Sequence, residues 1–328
     1  MDMELPRTEP VELRKIRTVP EILNATSEFI RQHFRPLSRL ILRRAFPPLL
    51  FAGMIGAYLF SSGILDSIFM WGRAYGNPTW QYGGGSSTGS IVLQALLALL
   101  LFVIGYTLLI GLVHTYARHA RESHDGSVNA DEVWKDTKED FWRVFWTNLG
   151  LGVIYNIVSV IVTMFTGLFI FIHPTVGMLF QWFGLLAITT NFSLYYAARF
   201  VSNEGFGGSF SRSLSLVSGS WWRTMGLIVL CGLLLVIMVM VTLVPVWIVL
   251  QLVQNHLYIY DPVWLQNNGE LMKIITTASL TLFFSAVQLY LVFPLFSLIL
   301  HYFNLIERRE ATTIMEEIEN IGVANVEA

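Results

Sequence analysis

Three histidines recur at five-residue intervals in one segment of the chain, and histidine is the side chain that most often binds metal ions. They are His114, His119 and His124. Five residues rotate an α-helix by about 140° beyond a full turn, so the three rings cannot face one metal ion unless the helix ends between them. The HExxH pattern of helical zinc sites does not occur. We interpret these residues as histidines at a helix end; the alternative is a metal-dependent membrane enzyme that uses His114, His119 and His301.

Two other features that can signal chemistry are incomplete. The glycine run 83–85 is followed by serines but lacks the lysine of a phosphate-binding loop, so we interpret it as a flexible connection. The single cysteine, Cys231, lies in an apolar run and excludes both an intrachain disulfide and a metal site of several cysteines. The sequence therefore predicts no catalytic residue, no cofactor and no metal site, and a protein that is not an enzyme.

Polar amides also stand inside the apolar runs, namely Asn156, Asn191 and Gln288. One interpretation is that they line a route for a lipid or a small amphiphile. The other is that they only make hydrogen bonds between neighbouring helices. Apart from Arg199 at the end of the fourth run, these runs contain no Asp, Glu, Lys or Arg, which argues against transport coupled to protons or ions.

Long apolar runs must position all of these residues. Hydrophobic residues make up 54% of the 328, mean hydropathy is +0.56, and only 13% are charged, against about 25% in soluble domains. A helix needs roughly 20 apolar residues to cross a bilayer. Six runs reach that length and predict an all-α polytopic membrane protein, with spans at about 46–65, 91–116, 145–172, 176–200, 225–253 and 274–304. The third and fourth runs meet at His173-Pro174-Thr175, which predicts a tight hairpin.

The distribution of positive charge predicts orientation. If both termini share one side of the membrane, nineteen of the 21 lysines and arginines lie on that side, leaving Arg73 and Lys273 opposite. Positive loops face the cytoplasm, so we expect a multi-pass protein of the cytoplasmic membrane with both termini inside the cell. The net charge of −2 lacks the basic field that attracts nucleic acid, and no nucleic-acid partner is expected.

A short pattern repeats three times just before a pair of spans. The segments SEFIR, EDFWR and GSWWR, which begin at residues 27, 139 and 219, align without gaps. Each follows an amphipathic stretch, with apolar positions at Ile22, Val133 and Trp134, and Leu214. This plan predicts three units of interfacial helix plus transmembrane hairpin, which would contact the phospholipid bilayer and its anionic lipids. The candidate headgroup residues are Phe29, Arg31, Phe141, Arg143, Trp221, Trp222 and Arg223.

The two ends of the chain are expected to differ from the membrane domain at 19–305. Residues 1–18 carry mixed charge and are predicted to be disordered. Residues 306–328 alternate apolar and charged positions, which predicts a cytoplasmic helix or tail that could dock a protein partner.

One stretch resembles a known family. Residues 208–227, GSFSRSLSLVSGSWWRTMGL, are similar to the membrane domain attached to some bacterial glycerophosphodiester phosphodiesterases. Residues 302–310 and 317–322, YFNLIERRE and EIENIG, resemble the end of stand-alone members. The resemblance implies a six-helix membrane domain. It does not imply the phosphodiesterase activity, because no soluble stretch here could form the barrel of about 250 residues.

Together these patterns favour a membrane scaffold, or a protein that shapes its lipid environment or assists assembly. A transporter of a lipid or small amphiphile and the metal-dependent enzyme are the alternatives.

Overall fold

The computed structural model describes residues 11–74, 88–123, 128–170, 173–252 and 268–310. Within these ranges all regular secondary structure is helical and no β-strand occurs, in agreement with the predicted all-α class. The helices are α1 (Val19–Gln32), α2 (Phe34–Arg44), α3 (Phe46–Ala74), α4 (Thr88–Glu122), α5 (Ala130–Glu139), α6 (Phe141–Ile170), α7 (Pro174–Phe192), α8 (Tyr195–Phe200), α9 (Phe206–Ser218), α10 (Trp221–Gln251), α11 (Gly269–Tyr290) and α12 (Val292–Glu310).

The chain divides into two compact units. Unit 1 comprises Met1–Leu40, Ile110–Gly232 and Phe293–Ala328, and unit 2 comprises Ile41–Leu109 and Leu233–Val292. In unit 1, α6 packs against α7, and the short helix α9 packs against α7 and α8. In unit 2, α3 packs along α11.

Four helical stretches among the described residues are long and apolar enough to cross a membrane: Ser90–Glu122, Phe141–Phe169, Trp221–Val249 and Glu270–Arg309. A fifth appears if the bent pair Phe34–Arg44 and Phe46–Ser61 is one span. The last stretch joins α11 and α12 across a break at Leu291, three residues before Pro294. These helices confirm an all-helical protein suited to a membrane.

The predicted span 176–200 is not one continuous helix, which corrects the prediction. The helix α7 ends at Phe192, and α8 begins only at Tyr195. The hydroxyl of Ser193 donates a 2.8 Å hydrogen bond to the carbonyl of Thr190, whose oxygen also accepts from the Ser193 backbone N–H. Serine competes with the backbone for such hydrogen bonds, which explains why the helix stops here.

The predicted hairpin of the third and fourth runs is present as α6 and α7. The side chain of His173 accepts from the backbone N–H of Thr175 and caps α7, with Pro174 in its first turn. Across the pair, the Gln181 amide donates to the Thr163 hydroxyl at 2.8 Å, and the hydroxyls of Tyr155 and Thr189 lie 3.2 Å apart. Polar contacts at two levels therefore fix how the two helices align.

The short helices α1, α5 and α9 form where the amphipathic stretches predict them, but the buried face of α9 differs. Helix α1 buries Ile22, Thr26 and Phe29, and α5 buries Val133 and Thr137. In α9 the apolar position Leu214 is exposed, and the buried positions are Ser209, Ser213, Leu216 and Val217. Small serines allow closer packing, and the Ser213 hydroxyl donates to the carbonyl of Asn191 on α7.

The predicted boundaries at the chain ends are only partly described. Of the segment expected to be disordered, residues 11–18 lie against unit 1: the Asn304 side chain bonds both the N–H and the carbonyl of Arg17, at 2.9 and 3.1 Å. Residues 1–10 fall outside the described residues. In the predicted C-terminal tail, α12 continues to Glu310, and the rest, with its proposed partner contact, also lies outside.

Gly184 on α7 tests the α6–α7 packing. A Cβ at this position would lie 2.5 Å from Cγ1 of Val162 on α6. We expect Gly184→Ala to destabilise the protein by about 1–3 kcal/mol through overpacking, measured as thermal unfolding in detergent. Gly167→Ala is the control, since no atom lies within 4 Å of a Cβ there. Adding Val162→Ala should recover much of the loss; no recovery would show that the contact is not the cause.

Candidate functional site

Helix α2 carries an exposed row of arginines. Four of its eleven residues are arginine and none is acidic. Arg35, Arg39 and Arg43 are spaced four residues apart, which places them on one face of the helix, and all three are exposed. We call these three residues the basic face. Other positions of α2 are buried, namely Leu37, Leu40 and Ile41.

The chain next to α2 explains where this helix starts and stops. Helix α1 is closed by its C-cap residue His33, whose backbone N–H donates to the carbonyl of Phe29. Pro36 suits the first turn of α2, because a backbone nitrogen at this position makes no hydrogen bond within the helix. At the other end, Pro47 and Pro48 have no N–H to continue the helix. The axes of α2 and the first part of α3 therefore meet at 55°.

A row of arginines on an amphipathic helix is suited to anionic oxygens. Each guanidinium offers planar paired donors to a phosphate, and basic side chains near a membrane surface are attracted to anionic lipids. The charge distribution along the sequence indicates only a membrane orientation for these arginines and does not single them out as a site. The signal was present, because basic residues at positions i, i+4 and i+8 without an intervening acid define one charged helix face.

The first copy of the repeated pattern separates into a core residue and a surface residue. Phe29 is buried, with its ring 5.1 Å from that of Phe296 and 6.4 Å from that of Tyr116. The Arg31 side chain is 69% exposed and pairs with Glu28 on the same helix at 2.8 Å. Its hydrogen bond with Glu28 raises the pKa of Arg31.

In the second copy, Arg143 bonds backbone rather than facing outward. Its guanidinium donates to the carbonyl of Arg199 at 3.0 Å and lies 5.7 Å from the centre of the Phe200 ring. Further contacts reach the carboxylate of Asp140 at 3.7 Å and the carbonyl of Glu204 at 3.5 Å. Arg143 therefore holds the segment between α8 and α9. The neighbouring Phe141 is half-buried, and its ring lies 6.2 Å from that of Phe145.

An ion-pair cluster joins α4 to α5. The carboxylate of Asp136 lies 2.9 Å from both the Arg118 guanidinium and Nε2 of His119, and Arg118 also lies 3.7 Å from Asp140. Burial by itself raises the pKa of Asp136, but the hydrogen bonds and charges of His119 and Arg118 outweigh burial and lower it. The cluster keeps Asp136 ionised and fixes α5 beside the end of α4.

The third copy presents its aromatic and basic residues at the start of α10. Trp221 is half-buried, Trp222 is 70% exposed and Arg223 is exposed. The two indole rings lie 4.8 Å apart, nearly perpendicular. At the start of α6, Trp142 is likewise exposed. Exposed tryptophans at the ends of apolar helices are typical of residues that anchor at a membrane surface.

The histidines of the alternative enzyme hypothesis have separate surroundings. His114 Nδ1 lies 2.8 Å from the carbonyl of Ile110, His119 contacts Asp136, and His301 Nε2 lies 3.0 Å from the Thr224 hydroxyl. Among the described residues, no group of three or more potential ligands could hold a metal ion.

One possible nucleophile motif was missed in the sequence. The spacing GxSxG occurs once, at residues 85–89, GSSTG. In hydrolases this spacing forms a turn between a strand and a helix. Residues 85–87 lie outside the described residues, as does the glycine run beside them, and α4 begins at Thr88.

The three intramembrane amides bond within their own helices. The side-chain amides of Asn156, Asn191 and Gln288 donate to the carbonyl four residues earlier, at 2.8, 3.0 and 3.1 Å. The Asn156 side chain is on the exposed side of α6. These contacts match neither a shared polar route nor the hydrogen bonds between helices that the sequence suggested for these residues.

Comparison of the chain with protein-family models, with curated proteins and with solved structures finds no match. The resemblance to the membrane domain of glycerophosphodiester phosphodiesterases therefore stays an expectation from residues 208–227. The interpretation of function depends on the geometry of these helices.

Arg143 and Arg31 occupy the same position of the repeated pattern and give a matched pair of variants. We expect Arg143→Ala to lower the free energy of unfolding by about 1–3 kcal/mol, because the half-buried carbonyl of Arg199 loses its guanidinium donor. Arg143→Lys should recover less than half of the lost free energy, since lysine lacks the planar guanidinium with its paired N–H donors. Arg31→Ala should leave the melting temperature unchanged. Equal melting temperatures for the two alanine variants in detergent would contradict this role of Arg143.

Proposed function

We propose that this is a multi-pass protein of the cytoplasmic membrane that binds anionic phospholipid headgroups and acts as a scaffold for its local lipid environment. The basic face of α2 is the observation that carries this proposal. It combines three exposed arginines, a buried apolar side and a 55° bend from the apolar helix that follows. A helix of this kind is suited to the membrane surface, with its charges toward phosphates.

The exposed tryptophans support the same location. Trp142 and Trp222 stand in the first two residues of the long apolar helices α6 and α10. Tryptophan prefers the headgroup layer because its ring is apolar and its N–H is polar. Arg31 and Arg223 are exposed and add positive charge, whereas Arg143 has a structural part.

The proposal includes six crossings with both termini in the cytoplasm. Helix α7 has 19 residues and a length of about 28 Å, close to the roughly 30 Å of hydrocarbon in a bilayer. With α7 as the fourth crossing, the chain returns to the cytoplasmic side before α9, and nineteen of the 21 basic residues remain on that side.

The helix breaks support a plan of three units. An aromatic residue follows the break in each case, namely Phe34, Phe141 and Trp221. The residue eight positions earlier is buried each time: Thr26, Val133 and Ser213. This register places the first copy at Phe34, five residues after Phe29, which corresponds to Phe141 in the gapless alignment that also matches Arg31 with Arg143. The C-terminal segment remains the proposed contact for a protein partner.

Replacing the basic face tests the lipid interaction. We expect Arg35→Gln, Arg39→Gln and Arg43→Gln together to weaken binding of phosphatidylglycerol by about fivefold for each arginine removed, measured by native mass spectrometry of the purified protein during lipid titration. The loss should shrink at high salt, since exposed charges are screened.

The matched control removes three exposed positive charges from other positions, with Arg14→Gln, Lys135→Gln and Lys138→Gln. This variant should keep most of the binding. An equal loss in both variants would show a response to net charge alone, and unchanged binding in the first variant would refute a role for α2.

Thiol labelling tests the six crossings. Cys231 is replaced by alanine, and cysteines are introduced one at a time as Lys135→Cys, His173→Cys and Ser218→Cys, all at exposed positions. In intact cells an impermeant reagent should label position 173 but not positions 135 and 218. Labelling of 173 and 218 together would show that α7 does not cross the membrane.

A further inference from the structure

A groove in unit 2 runs between α3 and α11. Its volume is about 710 Å³, and its lining extends along α11 from Glu270 to Leu282. Three of its side chains are large, apolar and exposed, namely Met54, Ile274 and Leu282. The hydroxyl of Thr277, which lines the groove, lies 2.8 Å from that of Ser61 and links the two helices. The groove therefore lies on the side of a packed helix pair.

The groove has the length of one membrane leaflet. The thirteen residues from Glu270 to Leu282 rise by about 18 Å along the helix, and half of the hydrocarbon core is about 15 Å thick. Its two charged residues, Glu270 and Lys273, lie at one end, near the start of α11, and the lining from Ile274 to Leu282 is uncharged. This gradient matches a single phospholipid, with a charged head and an acyl chain.

Two opposite charges mark the polar end. The Lys273 ammonium donates to the Tyr58 hydroxyl at 3.1 Å and lies 4.4 Å from the centre of the same ring, so Tyr58 holds the charge beside the groove. Glu270 precedes Lys273 by one helical turn and also lines the groove. A ligand at this end therefore meets a cation and an anion side by side.

We propose that this groove binds one zwitterionic glycerophospholipid with a protonated amine in its headgroup. The lipid phosphate accepts from the Lys273 ammonium, its amine donates to the Glu270 carboxylate, and one acyl chain lies along Ile274 and Leu282. An anionic lipid without an amine fits the groove less well, because it brings Glu270 no positive partner. This site is separate from the basic face of α2, and its binding does not depend on the scaffold proposal.

Photo-crosslinking from inside the groove identifies the occupant. Benzoylphenylalanine replaces Ala278, an exposed residue of the lining, in the full chain reconstituted in vesicles of equal phosphatidylethanolamine and phosphatidylglycerol. We expect adducts of phosphatidylethanolamine to exceed those of phosphatidylglycerol by about fivefold. The same label at Val241, an exposed residue of α10 outside the groove lining, should give equal amounts of the two lipid adducts. An equal ratio at both positions would overturn the proposal, as would capture of protein instead of lipid.

Charge variants then assign the two contacts. Lys273→Gln should reduce all phospholipid adducts at position 278 by about tenfold, and Lys135→Gln should not. Glu270→Gln should keep the total yield of phospholipid adducts within about twofold of the unsubstituted protein and abolish the preference for phosphatidylethanolamine. Because Glu270 is exposed, its variant decides the proposal even if Lys273→Gln fails to fold. A preference that persists in Glu270→Gln would overturn the assignment. The adduct ratio at position 278 does not depend on whether the α2 variant loses phosphatidylglycerol binding. Each of the two proposals can therefore be refuted without the other.

Discussion

A hydrocarbon environment offers no hydrogen-bond partner, so a polar side chain in an apolar helix has to bond to the protein itself. Three such side chains donate to the carbonyl four residues earlier: Thr166 to Val162, Asn191 to Ala187, and Gln288 to Phe284. This contact uses a donor of the side chain without requiring a neighbouring helix. A polar residue in these helices therefore does not by itself indicate a route or a binding site.

The same constraint moves charge to the helix ends and makes it structural there. Asp136 connects α5 to α4, and Arg143 holds the segment between α8 and α9. Both lie next to a helix break, where backbone groups lack helical partners and where a guanidinium or carboxylate can serve several of them at once. The arginines on α2 differ because they share a helix without acidic residues. Arginine thus supports packing at position 143 and forms an exposed basic surface on α2.

The sequence predicts the helical class, the hairpin at His173 and the positions of the short helices α1, α5 and α9, because these depend on the length and the period of apolar residues. It fails where short-range hydrogen bonds or close packing decide. The break after Phe192 depends on a serine that bonds its own backbone, and the inward face of α9 uses serines because α7 lies close. The groove beside Lys273 depends on which helices become neighbours, and no local pattern records that.

The bend between α2 and α3 also divides the chain by composition. Pro47 and Pro48 cannot donate to the carbonyls of Arg43 and Arg44, so the ladder of helical hydrogen bonds is interrupted between the two helices. The interruption separates a helix with four arginines among eleven residues from a long apolar helix. The change of direction by 55° lets a charged helix and an apolar helix follow each other with only Ala45 between them.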